Sequence, residues 1–329
     1  VAGSAITVDA WTGEILAVSN YPVFNPNNRE AFDYSAARNR ALTDVYEPGS
    51  TIKTLTLIAA LESGQFTIDS LVNTAPGRIR VGGKVLYDPR NYGEISVSKI
   101  IEKSSQVGVT TLAQAGGHEA VLEVLLRFGF GTQTGTGFPG ERAGSLPSMM
   151  HWSEIEKVTL AFGYGLNATP IQLAQAYSIL ANGGVRQPLT LLKQDRETLP
   201  VGTRVFDAQV AQDVLQGLGR VTDCGGTATL AQVPGFSVGG KTGTVHKVGE
   251  TGYLDDQYVA LFVGIAPMKK PRYVTTILID QHRGDHYGGG LAAAPVYSRI
   301  TEEVLRIRNA QPDRSSAGAL VAAYRGAQQ

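Results

Sequence analysis

The sequence predicts an α+β fold: an antiparallel sheet built from both chain ends, flanked by helices, with a helical lobe inserted between the two groups of strands. Three observations predict it. β-rich runs crowd the first 20 residues and recur after residue 233. Helix signals fill residues 96–182, including two capping-box patterns. No repeat of 20–50 residues points to a solenoid or propeller. Residues 1–309 are expected to form the domain, with 96–182 as its helical lobe and 310–329 as a tail rich in Ala, Gly, Ser and Gln.

Taken in order, residues 4–9 and 14–19 flank Trp11-Thr12-Gly13, the pattern of a hairpin. Residues 21–28 are dense in Pro and Asn and predict a loop. Arg38 and Arg40 follow, better suited to structural pins than to substrate clamps. Pro48 and Gly49 then open a run whose apolar residues cover nearly every face, so the helix over 50–62 should be buried on most sides. Residues 64–95 are punctuated by glycine and predict an irregular excursion containing short strands. Helices are expected over 98–103, 107–115 and 119–128. Ser153-Glu-Ile-Glu156 and Thr169-Pro-Ile-Gln172 each start another, the second with proline at its first position and a stop at Asn182-Gly183-Gly184. Strands are predicted over 233–245, 257–266 and 273–280, and a helix over 294–309 should pack on that sheet.

Composition narrows the function. With 43% hydrophobic and 18% charged residues, the chain is globular rather than disordered. Lys plus Arg equal Asp plus Glu at 29 each, so no basic field argues for nucleic acid. The single cysteine, Cys224, excludes an internal disulfide and a cysteine-based zinc site. No run of about 18 apolar residues predicts a membrane span. The chain opens Val1-Ala2-Gly3-Ser4 without methionine or leader, as a fragment of a longer protein would. His282 and His286 stand four apart, but in a glycine-rich turn with no evident third ligand, so no metal is expected, and no cofactor.

Three motifs carry chemistry. Ser50 and Lys53, three apart on a helix, share a face, and a neutral amine beside a hydroxyl can take its proton so that the oxygen attacks a carbonyl. The plain alternative is a capping serine with a lysine snorkelling out of the core. Lys103-Ser104-Ser105-Gln106 sits in a break between helices, where Ser104 and Gln106 could line a cleft or merely cap helix ends. Gly239-Gly240-Lys241-Thr242-Gly243-Thr244 lies inside a β run. Gly243 is costly there unless another backbone comes close, as a peptide docking beside the strand would. A phosphate loop fits poorly, because its glycines should open a helix.

In this order, Ser-x-x-Lys, Ser-x-[amide] and Lys-[Ser/Thr]-Gly make the chain resemble penicillin-binding proteins and serine β-lactamases. Glu47-Pro-Gly-Ser-Thr-Ile-Lys53, Lys103-Ser-Ser-Gln-Val-Gly-Val109, Phe162-Gly-Tyr-Gly-Leu166 and Tyr287-Gly-Gly-Gly further resemble class B penicillin-binding proteins of the division-specific, FtsI-like type. The resemblance spans about residues 3–308. It departs at Gln106, where the family usually has Asn; Gln carries the same amide one methylene further out, which bears on substrate fit more than on acylation chemistry.

The resemblance implies the penicillin-binding protein/serine β-lactamase-like fold and a serine D,D-transpeptidase that cross-links peptidoglycan stem peptides, is acylated by β-lactams and serves septal wall synthesis. Ser50 would be the nucleophile, Lys53 the general base and Ser104 a proton relay, and Lys241 would supply a second positive charge. Backbone N–H groups of Ser50 and Thr244 would form the oxyanion hole. Lys241, Thr242 and Thr244 would hold the terminal carboxylate, with Gly243 and Gln106 lining the substrate groove. Tyr164 matches an active-site tyrosine, with a core aromatic as its alternative; Tyr258 and Tyr287 match aromatic wall positions, and His246 could reach the rim. Implied too are a periplasmic place on the bacterial inner membrane through an anchor absent from this chain, and a division glycosyltransferase and other divisome proteins as partners. The rivals are a serine β-lactamase or D,D-carboxypeptidase, for which Glu154 and Glu156 are the nearest glutamates, and a non-catalytic β-lactam sensor or division scaffold.

Overall fold

The structure, a computed structural model, describes residues 1–28, 33–148, 152–195, 197–249, 252–281 and 288–314. Its centre is a five-stranded antiparallel sheet in the order β2-β1-β11-β10-β9. The N-terminal hairpin supplies β1 (Ala2–Asp9) and β2 (Ile15–Tyr21), and the C-terminal part supplies β9 (Gly239–Gly249), β10 (Gly252–Ala266) and β11 (Tyr273–Asp280). The ends meet where β1 pairs with β11, from Ala2 opposite Asp280 to Asp9 opposite Tyr273. Strand β9 starts later than the β run from 233 suggests: Val233 and Phe236 form an isolated bridge around Pro234-Gly235, whose turn chemistry outweighs the β-branched residues before it.

Two short helices, α1 (Tyr34–Ala37) and α2 (Arg40–Thr43), follow the hairpin, and there Arg38 and Arg40 both pin Asp44, at 2.8 and 3.1 Å. A 3₁₀ turn, Gly49–Ile52, runs into α3 (Lys53–Glu62), buried from Lys53 through Leu61. The excursion after it folds into two small sheets, β3 (Leu71–Asn73) with β6 (Glu94–Ser96), and β4 (Arg78–Val81) with β5 (Lys84–Tyr87). Next come α4 (Val97–Lys103), α5 (Gln106–Gly116), α6 (His118–Arg127), α7 (Glu154–Leu160) and α8 (Pro170–Ala181). Both capping boxes form, at Ser153/Glu156 and Thr169/Gln172.

After a two-residue pair, β7 (Val185–Arg186) with β8 (Thr203–Arg204), comes α9 (Ala208–Thr222), which the sequence reading passes over. Its signals are an Asp207 cap on Gln209 N–H and an apolar stripe of Ala211, Val214, Leu218 and Val221. Gly217 and Gly219 inside the helix weaken that signal, and Gly217 is needed because Ile101 of α4 packs about where its side chain would begin. Last are α10 (Gly289–Ala292) and α11 (Ala294–Ile307).

The sheet is the middle layer. On one side Phe262 of β10 meets Tyr297 of α11 edge-on, ring centroids 4.9 Å apart. On the other, Leu261 and Val263 join the large core formed with α3, α5, α8 and α9. Alternate residues of one strand thus feed two cores. Beyond α11, Asp313 accepts from Ser237 and Lys269 backbone N–H, holding residues 310–314 against the body.

Candidate active site

Ser50 sits half-buried in the 3₁₀ turn that feeds α3, on the side of the molecule where α3, the α4–α5 junction and β9 converge. It takes the first-turn position rather than the cap: Pro48 precedes the turn, and Thr51 Oγ1 donates to the Pro48 carbonyl at 2.8 Å. Gly49 has φ of +53°, and its backbone lies against Gly163, where an added Cβ would stand 2.1 Å from the Gly49 carbonyl oxygen. Two glycines therefore let the Phe162–Gly163–Tyr164 turn back directly onto the chain beside Ser50.

Lys53 opens α3 one turn on, buried to 3% exposure. Its Nζ donates to the Ser104 carbonyl at 2.6 Å and to Ser104 Oγ at 3.3 Å. Lys241, fully buried in β9, donates from Nζ to the same Ser104 Oγ at 2.9 Å. One hydroxyl thus lies between two amines from opposite walls. Burial pushes Lys53 down to about 8, against an opposing pull from Asp88. Burial, then the charge of Lys53, holds Lys241 well below its ordinary value. Ser104 reaches this place by a left-handed conformation, φ 56° and ψ 37°, that ends α4 and lets α5 restart at Gln106.

Strand β9 is an edge: among the described residues it pairs only with β10. Thr242 Oγ1 lies 3.2 Å from Thr227 Oγ1, and Thr244 Oγ1 accepts from Gly289 N–H at 3.0 Å. The room Gly243 leaves is taken by this chain itself. A Cβ there would stand 3.1 Å from the Pro48 carbonyl and 3.2 Å from Thr51, so Gly243 seats the Ser50 turn against β9 rather than keeping a gap for a docking peptide.

Beside these groups is a cleft of about 430 Å³ lined by Gln106, Phe162, Tyr164 and Tyr253, with Glu47 and Glu156 among its polar groups. Tyr164 stands edge-on to Phe162 and to Tyr253, centroids 5.8 and 6.2 Å away, so it belongs to the cleft wall and to the core edge together. No hydrogen bond within the described residues reaches the Gln106 side-chain amide. Tyr258 packs on His246, centroids 4.5 Å apart, further along the same strand pair. Tyr287 lies outside the described residues, as do His282 and His286. Glu156 is held by the Ser153 backbone N–H and hydroxyl, and Glu154 pairs with Lys157 at 3.0 Å.

Sequence reasoning missed three groups that shape this region. Asp88 sits under the start of α5. Glu47, just ahead of the Ser50 turn, accepts from Tyr253 OH at 2.9 and 3.1 Å and from Gly165 N–H at 2.9 Å. Tyr177 of α8, behind α3, donates to the Thr51 carbonyl at 2.9 Å and lies 2.8 Å from Thr54 Oγ1. Their partners lie 118 or more residues away for Glu47 and Tyr177, so no local pattern shows them.

Comparison with known proteins identifies the family. The family model for the penicillin binding protein transpeptidase domain matches residues 3–302. The chain is 39% identical over 317 residues to the peptidoglycan D,D-transpeptidase FtsI of Escherichia coli K12, covering 96% of this chain and 53% of that protein. It is 38% identical over 320 residues to the probable peptidoglycan D,D-transpeptidase PenA of Neisseria gonorrhoeae, covering 97% and 54%. The chain therefore spans about half the length of these curated relatives. Among solved structures, the transpeptidase domain of Burkholderia pseudomallei penicillin-binding protein 3 superposes with a TM-score of 0.87 at 37% identity, over 95% of this chain and 90% of that one. An antiparallel sheet built from both ends, three motifs converging on one hydroxyl and a family match over nearly the whole chain lead to one conclusion: this chain belongs to the penicillin-binding protein transpeptidase family.

Proposed function

We propose that this domain is a serine D,D-transpeptidase that acylates Ser50 with the stem peptide of peptidoglycan and passes the acyl group to an amine of a second strand. The observation that carries it is the Ser104 hydroxyl held between Lys53 and Lys241, next to the Ser50 turn. Lys53, pushed down to about 8, is neutral in roughly a tenth of molecules at pH 7, enough to act as a base. It takes the Ser50 proton as Oγ attacks the carbonyl of the penultimate D-alanine. Ser104 passes a proton to the departing D-alanine amine, with Lys241 completing the relay. The acceptor amine then attacks the ester, gives up its proton along the same path and restores Ser50.

The open edge of β9 supports an extended peptide as the ligand, since alternate backbone groups of an edge strand point outward. In this reading the Thr244 N–H on the open edge and the Ser50 N–H are the oxyanion donors. Lys241, Thr242 and Thr244 carry the positive field and hydroxyls for the terminal carboxylate, and Gln106, Tyr164 and Tyr258 shape the groove. Relatives named as peptidoglycan D,D-transpeptidases support the reaction; we extend the reading to septal wall synthesis with a division glycosyltransferase and other divisome proteins as partners, β-lactams as inhibitors and a periplasmic location through an anchor outside this segment. Among the described residues no helix is long and apolar enough to cross a membrane.

Intact mass after adding a penicillin tests the reading. A one-to-one adduct that persists, and is lost in Ser50→Ala with the fold intact, is the expected result. An adduct that forms and vanishes as drug is hydrolysed would favour a β-lactamase; no adduct at all would leave a non-catalytic domain.

A further inference from the structure

We propose that Asp88 is a positioning residue of this site: one buried carboxylate, delivered by the β4–β5 hairpin, clamps the Ser104–Gln106 turn against Lys53. The proposal rests on the reading of Lys53 as the base. Asp88 directly follows β5, and its own N–H donates to the Gly77 carbonyl at 2.9 Å, which ties it to the root of the hairpin. Its side chain, 8% exposed, accepts three hydrogen bonds. Ser105 Oγ donates to Oδ2 at 2.6 Å, while Gln106 N–H and Val107 N–H donate to Oδ1 at 2.6 and 3.2 Å. Ser105, itself fully buried, accepts in turn from Gly108 N–H at 2.9 Å. Three N–H groups that open an 11-residue helix are thereby satisfied by one carboxylate and one hydroxyl.

The turn needs such a clamp. A non-glycine residue in the left-handed region persists only where its surroundings over-determine it, and Ser104 is one. From the α4 side it is held by Ser104 N–H to Ile101 and Ser105 N–H to Ile100, at 3.2 and 2.9 Å. From the α5 side the hold is Asp88. Released there, Ser104 would carry its carbonyl and hydroxyl away from Lys53 and Lys241 together. The excursion over residues 64–95 thus has a use: it carries a carboxylate under the second motif.

The same carboxylate also acts on Lys53 through space, favouring its charged form against burial. The other charge near Lys53 is Lys241 on β9, joined to it through Ser104. Elsewhere around α3, Glu102 of α4 is turned to Lys99 and Lys103, at 2.6 and 3.1 Å. Arg127 of α6 pairs with Glu62 at the far end of α3, Asp213 of α9 accepts from Gln209, and Glu47 is held by Tyr253. Helix α5 carries no charged side chain. Among the charged groups named around α3, Asp88 is therefore the carboxylate that acts on Lys53.

Asp88→Asn and Asp88→Ala separate clamp from charge, because asparagine keeps an acceptor for the α5 N–H groups. Three readouts decide: the Lys53 ammonium titration by NMR of labelled lysine, amide exchange at Gln106 and Val107, and penicillin acylation followed by intact mass across pH. In Asp88→Asn the Lys53 midpoint should fall by at least about half a pH unit, with the acid limb of acylation moving the same way. In Asp88→Ala acylation should slow at least about tenfold at every pH, with faster exchange at both amides. A Lys53 titration in Asp88→Asn identical to the parent's, or Asp88→Ala acylating at the parent rate with unchanged exchange, overturns the proposal. A parent chain that forms no adduct defeats the transpeptidase reading instead, while titration and exchange still decide the part played by Asp88.

Discussion

Lys53 is where stability and chemistry oppose each other most directly. A buried ammonium costs free energy, and the fold tolerates it because the amine finds two acceptors on Ser104. Its folded value, about 8, lies below the unfolded value of about 10.4, so below pH 8 the unfolded chain is favoured by the difference, and this cost fades as pH rises toward 10.4. Lys53→Met, similar in length and apolar, should therefore abolish penicillin acylation and stabilise the domain by about 1–3 kcal/mol at pH 7, with the gain shrinking at pH 10. Urea unfolding of both proteins at the two pH values checks this; a loss of stability at pH 7 would contradict it. Gln106 belongs to the same scale. It lines the cleft, and among the described residues no hydrogen bond reaches its side-chain amide, which is available to an incoming ligand.

At the scale of elements, the site is a meeting of turns. The 3₁₀ turn at Ser50, the left-handed turn at Ser104 and the turn through Gly163 are each held by contact with the others or with β9. Gly163→Ala tests this without touching a reacting group. A Cβ 2.1 Å from the Gly49 oxygen, on a residue with φ of +87°, must move one turn off the other. The expected outcome is a loss of about 2–4 kcal/mol and acylation at least about tenfold slower, read by thermal melting and intact mass. The elements were unevenly legible. Helix α8 declares itself by Thr169, Pro170, Gln172 and the Asn182-Gly183-Gly184 stop. Helix α9 did not, because glycines interrupt a stripe whose purpose appears only once α4 is packed on it. Ser50 and Lys53 were legible because their relation is three residues along one chain; Asp88 was not, since it acts on residues 17 to 19 further on through a turn of its own.

At the scale of the whole molecule, the sheet makes the two chain ends one body. Strand β1 lies between β2 and β11, and Asp9 at its end is fully buried, accepting from Arg272 at 2.7 and 3.0 Å with Arg308 of the α11 end 3.6 Å away. Strand β9, with Lys241, is therefore only as rigid as a sheet that the first nine residues help complete. Deleting residues 1–21 leaves all three motifs intact yet strips one edge strand and its inner neighbour, exposing β11. The deletion should give no cooperative melting transition and no penicillin adduct, although every reacting residue is present. Circular dichroism on heating and intact mass check it; a folded, acylating deletion would show that the sheet's C-terminal half suffices.

By itself the sequence determined the family, the α+β layout and the Ser50, Ser104 and Lys241 motifs, because local spacing, capping residues and β-branched runs report on neighbours in the chain. Tertiary structure alone decided what those motifs meet. It set both amines on one Ser104 hydroxyl, filled the space of Gly243 with the Ser50 turn rather than a ligand, and brought Asp88 and Glu47 under the site. Those relations depend on burial and on contacts between distant segments, and burial is what moves the lysines toward neutrality, so they exist only once the chain has closed on itself.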